Sequence, residues 1–533
     1  MKKTVSNFVL ALFIAAIFIN CANRGTPSGG PKDETPPTII KSEPENFSTN
    51  FTGNEIEITF DEFIKIKDIQ KQLIISPPME YQPDITPLGS ASKRVTIKIL
   101  DTLAPNTTYA FNFGNSITDN NEGNPYPYYR YVLSTGDYID SLKVAGTIID
   151  AIKKKPENFI NVGLYEVDTT FTDSIVFKKS PKYITNTLDS ITTFSIENVK
   201  PGKYLLMALN DGNGDNKFQQ KTDQIAFHKE LINVPTDSSY TLKLFNEQLD
   251  YTATRPKLLS GEKIAFGYEG NYKGMDIEIL SDTPEDFKHR ITKDPKTDSL
   301  LYWYTPRMKV DSLLFKVTKQ DYEEDFTVRI SEQPRDSIKL RIITGTTMSL
   351  QEPFQITANT PITKFDASKI ALIDKDSMDI AFKTEFDTLN NTYDFNFDKT
   401  EDNSYKMRIL PEAFVDIFDY KNDTINVSVK TKKASDYGYV RFSLVNATYP
   451  IIVQLTDKEG EVKYEQFVSE EGSVDFYDLN PAVYAIRIIH DANGNEQYDT
   501  GSYLKKRQPE KITHFPDVEI RADWGVKETL EFK

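Results

Sequence analysis

Residues Phe194–Phe218, FSIENVKPGKYLLMALNDGNGDNKF, decide the fold, because they recur without a gap at Val474–Tyr498 as VDFYDLNPAVYAIRIIHDANGNEQY. Pro201 falls on Pro481, Tyr204 on Tyr484, Asp211 on Asp491, Asn213 on Asn493 and Gly214 on Gly494. Each copy reads as a strand, a proline turn, a second strand and a polar loop rich in Asp, Asn and Gly. Proline and glycine punctuate strands in this way, and Asn or Asp tolerates the left-handed backbone that tight turns need. A repeat of this kind is the mark of one structural unit used twice.

Outward from these copies the same period of two dominates. EIEITF (Glu55–Phe60) places Ile56, Ile58 and Phe60 on one face; RVTIKIL (Arg94–Leu100) does so with Val95, Ile97 and Ile99; TYAFNF (Thr108–Phe113) does so with Tyr109, Phe111 and Phe113. Alternation over this length between turn residues predicts half-buried antiparallel strands, and helix-period segments are scarce. At about 150 residues per domain, 533 residues make three to five domains. The expectation is an all-β chain of tandem β-sandwich modules in an elongated multidomain arrangement.

Residues 36–137 resemble the bacterial Ig-like domain of the SbsA type, on the pieces PPTIIKSEPEN, ITFDEFI, LAPNTTYAFNFGNSITDNNEGN and YVLSTGD. An echo of the same blocks, EDNSYKMRILPEAFVDIFDYKND and INVSVKTK, lies within 346–435. The gap-free repeat resembles the prealbumin-like, carboxypeptidase-regulatory-like β-sandwich. The expected order is a signal peptide over 1–20, a lipidated cysteine and flexible tether over 21–37, and an Ig-like domain over 38–138. A prealbumin-like sandwich over 139–247, Ig-like sandwiches over 248–345 and 346–435, and a second prealbumin-like sandwich over 436–533 complete it.

The amino terminus accounts for the only cysteine in the chain. Lys2 and Lys3 precede a twelve-residue apolar run, Phe8–Ile19, which is short for a membrane span and suited to a secretion signal. The run stops at Cys21, and GTPSGGPKDETPP follows within a stretch lacking any period, a flexible tether by composition. A signal that ends on a lone cysteine resembles a bacterial lipoprotein precursor, which implies acylation of Cys21. Several acyl chains at about 0.8 kcal/mol per buried methylene hold a protein on a bilayer. The net charge of −16 argues against nucleic acid as a partner, since phosphate binding needs a basic face.

Candidate sites are few. The loop after the second copy offers Asp491, Asn493, Asn495 and Asp499 as oxygen ligands at alternate positions, the pattern of a structural Ca²⁺ site; no other cofactor is expected. Asn-Gly turns also close hairpins without metal. Two aromatic clusters, NPYPYYRY with Tyr126, Tyr128, Tyr129, Arg130 and Tyr131, and YWY around Trp303, carry the residue types that anchor partners or stack on sugars. The same rings could equally fill a core. No catalytic motif is present: His228, His289, His490 and His514 form no metal-ligand spacing, and no nucleophile elbow or phosphate loop occurs, so no catalytic residue is assigned. Asp-Ser or Asp-Thr followed by an aliphatic residue recurs and resembles the O-glycosylation sequon of exported Bacteroidota proteins. It marks Thr102, Ser141, Ser174, Ser190, Ser299, Ser312, Ser337, Ser377, Thr388 and Thr424. The same residues favour turns.

These readings point to a non-enzymatic lipoprotein on the outer membrane, Bacteroidota in type, at the cell surface or the periplasmic face. It would serve as a scaffold or accessory subunit of an assembly, export or uptake complex, with an integral β-barrel protein as partner. The alternative is a surface glycan-binding lipoprotein, whose signature would be an exposed aromatic platform at Tyr126–Tyr131 and Trp303.

Overall fold

The computed structural model describes residues 33–188 and 191–532. Cys21, the apolar segment before it and Ser190 lie outside these residues. Among the described residues the regular structure is almost entirely strand, and no helix is long and apolar enough to cross a membrane.

The first module is a two-sheet sandwich. One sheet pairs Ile39–Glu43, Glu55–Ile66, Ser92–Lys98 and Asp84–Thr86 in that order, with Ile117–Asp119 on the far end of the long strand. The other pairs Ile74–Ser76, Thr108–Asn112 and Arg130–Ser134. The alternation read from sequence sets the faces: Ile56, Ile58, Phe60, Val95, Ile97, Phe111 and Phe113 are all buried in one core.

The two copies of the repeat share one topology. In the earlier copy Thr193–Val199, Leu142–Asp150 and Ser239–Leu244 form one sheet; in the later copy Ser473–Leu479, Gly438–Val445 and Gly525–Glu531 do. In both, the first and last strands of the module pair in parallel. The opposite sheet runs Tyr183–Asn186, Asn161–Glu166, Gly202–Asn210, Gln224–Phe227 in one and Val462–Val468, Ile451–Thr456, Ala482–His490, Ile512–Ile520 in the other. The paired tyrosines act alike. Tyr204 donates to the Lys200 carbonyl at 2.9 Å, and Tyr484 to the Asn480 carbonyl at 2.8 Å. Each phenol thereby bonds a backbone acceptor at the proline turn while its ring fills the core.

Between these copies lie two further sandwiches. Strands from Thr252–Ala253 to Tyr322–Arg329 form one, around Phe266, Tyr302, Phe315 and Val317. Strands from Leu340–Ile342 to Ile425–Thr431 form the other, around Ile356, Phe395, Met407 and Phe414. We number the five sandwiches one to five along the chain.

The modules are joined by packed side chains as well as by the chain. Ser76 of module one accepts from the Ile184 amide of module two at 3.1 Å, Lys200 donates to the Asn106 carbonyl at 2.6 Å, and Arg130 pairs with Glu197. Module five also returns to module two. Tyr503, fully buried, packs on Phe177 and Phe227 with the Lys506 ammonium 4.0 Å from its ring centroid. Its amide donates to the buried Glu247 carboxylate; Lys506 pairs with Asp173 at 2.6 Å, and Gln508 donates to the Phe227 carbonyl at 3.0 Å. Gly501 is required here by space, because a Cβ would come within 2.6 Å of the Phe245 ring.

Tyr503→Ala empties this contact at a cost on the order of 3 kcal/mol, by analogy with other buried aromatic truncations. We expect each module to stay folded by circular dichroism while the radius of gyration in small-angle scattering rises and trypsin cuts faster after Lys506, which Asp173 and the Tyr503 ring otherwise hold. An unchanged radius and an uncut loop would show that the contact does not hold modules two and five together.

Candidate functional site

The two Asp-Asn loops are built alike, each around an aspartate that accepts from the amides three and five residues on. Asp211 accepts from the amides of Asn213 (3.2 Å), Gly214 (2.8 Å) and Asn216 (2.7 Å). Asp491 accepts from Gly494 (2.8 Å), Asn495 (3.2 Å) and Glu496 (2.8 Å). Asn216 and Glu496, equivalent in the two copies, hold φ of 57° and 63°, which turns the chain sharply. A second carboxylate brackets each loop: Asp223 accepts from Gly212 and Gln219, and Glu510 accepts from Ala492 and Asp499. Sequence reading missed Asp223 and Glu510, because they stand at different distances from their loops.

The four residues expected as Ca²⁺ ligands do come together. Asn493 and Asn495 both donate their carboxamide nitrogens to Asp499, at 2.5 and 3.1 Å. Their oxygens accept from the amides of Asn495 and Gln497, at 3.0 and 2.9 Å. Each of those oxygens keeps a second lone pair, so these bonds are compatible with a ligand role. No group of three His, Cys, Asp or Glu side chains placed to hold a metal occurs among the described residues.

The aromatic clusters are corrected by burial. Tyr129 packs in the module-one core against Phe113, 5.9 Å between centroids, and burial raises its hydroxyl pKa. Tyr131 is fully buried, donates to the Pro44 carbonyl at 2.7 Å, and is pushed up to about 12 by the same cause. Arg130 is spent on Glu197 of module two. Tyr126 is half-buried against Phe60, and only Tyr128 stands well exposed, at 52%. Trp303 is 2% exposed: its indole donates to Thr292 at 2.9 Å, Lys263 sits over the ring, and Phe418 of module four lies 6.3 Å away. It is a joint between modules three and four. Tyr129, Tyr131 and Trp303 therefore offer no face to a ligand: the two tyrosines point into the module-one core, and Trp303 points out of module three but is covered by module four.

The sequon hydroxyls are reachable. Thr102, Ser141, Ser312, Ser337, Ser377, Thr388 and Thr424 are exposed, and Ser174 and Ser299 are half-buried. The four histidines lie far apart in role. His228 bonds the Glu230 carbonyl, His289 stacks on Tyr302 at 5.0 Å, and His490 bonds Thr513 at 2.8 Å. His514 meets the Ile152 backbone of module two. Burial lowers the pKa of both His490 and His514, with Lys511 adding to the first and Lys154 and Arg487 to the second.

A cleft of about 700 Å³ opens where modules two, three and five meet, with Glu247, Asp250, Tyr251, Lys319 and Arg507 on its walls. Its charges are mixed.

With this geometry in hand, the chain can be placed among known proteins. Residues 33–135 match the bacterial Ig-like domain family. No curated protein matches the chain. Among solved structures, domains 1–6 of the surface layer protein SbsC share 12% identity over 88% of this chain and 67% of that one, with a TM-score of 0.15. The Bacillus anthracis TIE protein shares 11% over 95% and 76%, with a TM-score of 0.15. The tandem Ig repeats of Dlar share 11% over 34% and 98%, with a TM-score of 0.13. At such identities and scores the likeness carries no argument about function.

Two outcomes follow from the loops and the histidines. Asp491→Ala leaves the Gly494 and Glu496 amides without their acceptor, and we expect a loss of about 1–3 kcal/mol in thermal or denaturant unfolding. A base whose folded pKa lies below its unfolded one resists protonation only when folded. Stability from His490 and His514 is therefore complete above about 6.5 and is lost as pH falls toward the lower folded values. The melting midpoint is expected to drop between about pH 7 and about pH 5, with a shallower slope in His514→Gln.

Proposed function

We propose that this chain is a non-enzymatic lipoprotein, held to the outer membrane of a Bacteroidota-type envelope by acylated Cys21. In this reading it serves as a scaffold or accessory subunit of a complex built around an integral β-barrel. The observation that carries the reading is the set of packed joints: modules one to two, three to four and five to two meet through buried aromatics, ion pairs and backbone bonds. Such joints fix the separation of faces, as an accessory subunit requires. On one membrane, weak contacts to a partner gain from high effective concentration. The lone cysteine behind a short apolar run supports the anchor. Exposed Asp-Ser and Asp-Thr tips support O-glycan attachment in the same compartment.

The glycan-binding alternative loses the platform first expected for it, since Trp303 and two of the tyrosines are buried.

A mild-detergent pull-down through a C-terminal tag tests the proposal. The intact protein should fractionate with membranes and bring down an integral β-barrel in stoichiometric amount. Cys21→Ser should leave the membrane fraction. A soluble wild-type protein with a free thiol, or an anchored one recovered alone, would overturn it.

A further inference from the structure

The three-stranded sheet of module five turns an aromatic face to solvent. Val440, Phe442, Val474 and Phe476 point into the core, so Tyr439, Arg441, Asp475 and Tyr477 point out. Tyr439 and Tyr477 lie 5.9 Å apart with their planes within 28°. Tyr439 is held low against the sheet, because its ring occupies the space a side chain would take at Gly525: a Cβ there would lie 2.1 Å from it. The Trp524 carbonyl accepts from the Tyr439 amide at 3.2 Å, which brings the backbone of this exposed tryptophan next to Tyr439. Exposures of 39% for Tyr439, 59% for Tyr477 and 64% for Trp524 are far above those of the aromatic rings that join the modules. Beside the rings, Arg441 grips Asp475 in a two-bond fork at 2.6 and 3.0 Å, and the Tyr477 hydroxyl interacts with the same pair.

The fold does not need these side chains. Val440 faces Phe476 in module five as Val144 faces Ile196 in module two, which places Tyr439 on Lys143, Arg441 on Ala145, Asp475 on Ser195 and Tyr477 on Glu197. The same topology stands there without an aromatic or a fork, and Glu197 is spent on Arg130 of module one.

From this geometry we propose that Tyr439, Tyr477 and Trp524 form a stacking platform for pyranose rings of an oligosaccharide, with the Arg441–Asp475 fork bonding hydroxyls at the ring edge. A pyranose presents polarised C–H bonds on one face, which the negative face of an aromatic ring attracts, and hydroxyls around its rim. A flat pair of rings beside a planar array of donors and acceptors matches both. A protein anchor would instead seek a closed, dry pocket, which this open sheet face does not offer. The site differs from the one expected at Tyr126–Tyr131 and Trp303, and it does not rest on the scaffold reading.

The test uses the purified full chain with cellohexaose, chitohexaose and mannohexaose as probes, read by calorimetry and by iodide quenching of tryptophan fluorescence. At least one probe should bind with a dissociation constant of about 1 mM or tighter and shield Trp524. Trp303→Phe should keep the quenching response. Tyr477→Ala and Trp524→Ala should each weaken binding about tenfold with the melting midpoint unchanged, equivalent to about 1.4 kcal/mol. Absence of binding by all three sugars overturns the proposal, as does unchanged affinity in Tyr477→Ala. Loss of a co-purified protein from Tyr477→Ala in a chain that binds none of the sugars also overturns it and assigns the face to a protein partner. None of these sugar measurements depends on Cys21, so they are separable from the anchor experiment.

Discussion

Tyr503 completes a hydrophobic layer that module two cannot close with its own residues. The central strand Gly202–Asn210 is apolar on both faces: Tyr204, Leu206 and Ala208 fill the sandwich core, while Leu205, Met207 and Leu209 look outward. Its own segment Asp173–Phe177 covers part of that outer face, and Phe218, Phe227 and Phe245 cover more. The remainder is closed by a residue hundreds of positions away in sequence. Exposed apolar area of this kind favours burial, which makes the return of module five to module two a consequence of strand composition. The polar bonds from Glu247, Asp173 and the Phe227 carbonyl then fix its register.

That constraint was written in the sequence, though only the comparison of copies exposes it. YLLMALN in the first copy is a continuous apolar run, whereas YAIRIIH in the second puts Arg487 on the outer face, where it bonds Gln454 at 2.6 Å. A run without alternation signals a strand covered on both sides. The repeat, the alternating strands and the Ig-like first module were legible because burial on one face imposes a period that needs no tertiary knowledge. The cover itself was not, since nothing local to Tyr503 distinguishes it from a surface tyrosine.

The aromatic residues show the same limit from the other side. Of the two tryptophans, Trp303 is sealed between modules three and four, and Trp524 stands in solvent. Trp303 sits between tyrosines and Trp524 beside a glycine that opens a strand, and composition alone does not tell their exposure apart. Inward or outward direction is set by register, and register is set by pairing: Tyr302 and Tyr304 point into module three, which turns Trp303 the opposite way, onto Ile417 of the next module. A face that would be solvent in an isolated sandwich becomes a joint in a chain of them. The loops were read more fully, because Asx turns are local: Asp211 and Asp491 bond amides within five residues. The bracketing Asp223 and Glu510 were missed for want of a fixed spacing.

The two copies thus diverge where each meets something else. On the four-strand side, the earlier copy keeps an apolar outer face and receives Tyr503, while the later copy sets Gln454 and Arg487 among the apolar residues there. On the three-strand side, the earlier copy carries Glu197 against Arg130 of module one, while the later copy carries Tyr477 beside Tyr439 with no module upon it. Core positions, constrained by close packing, stay aligned across the repeat. Outward positions carry no such constraint, so what they retain reflects contacts beyond the module. In module two both outer faces are accounted for by other parts of the same chain. In module five one is not, and exposed rings on a fold that stands without them need a cause outside the fold.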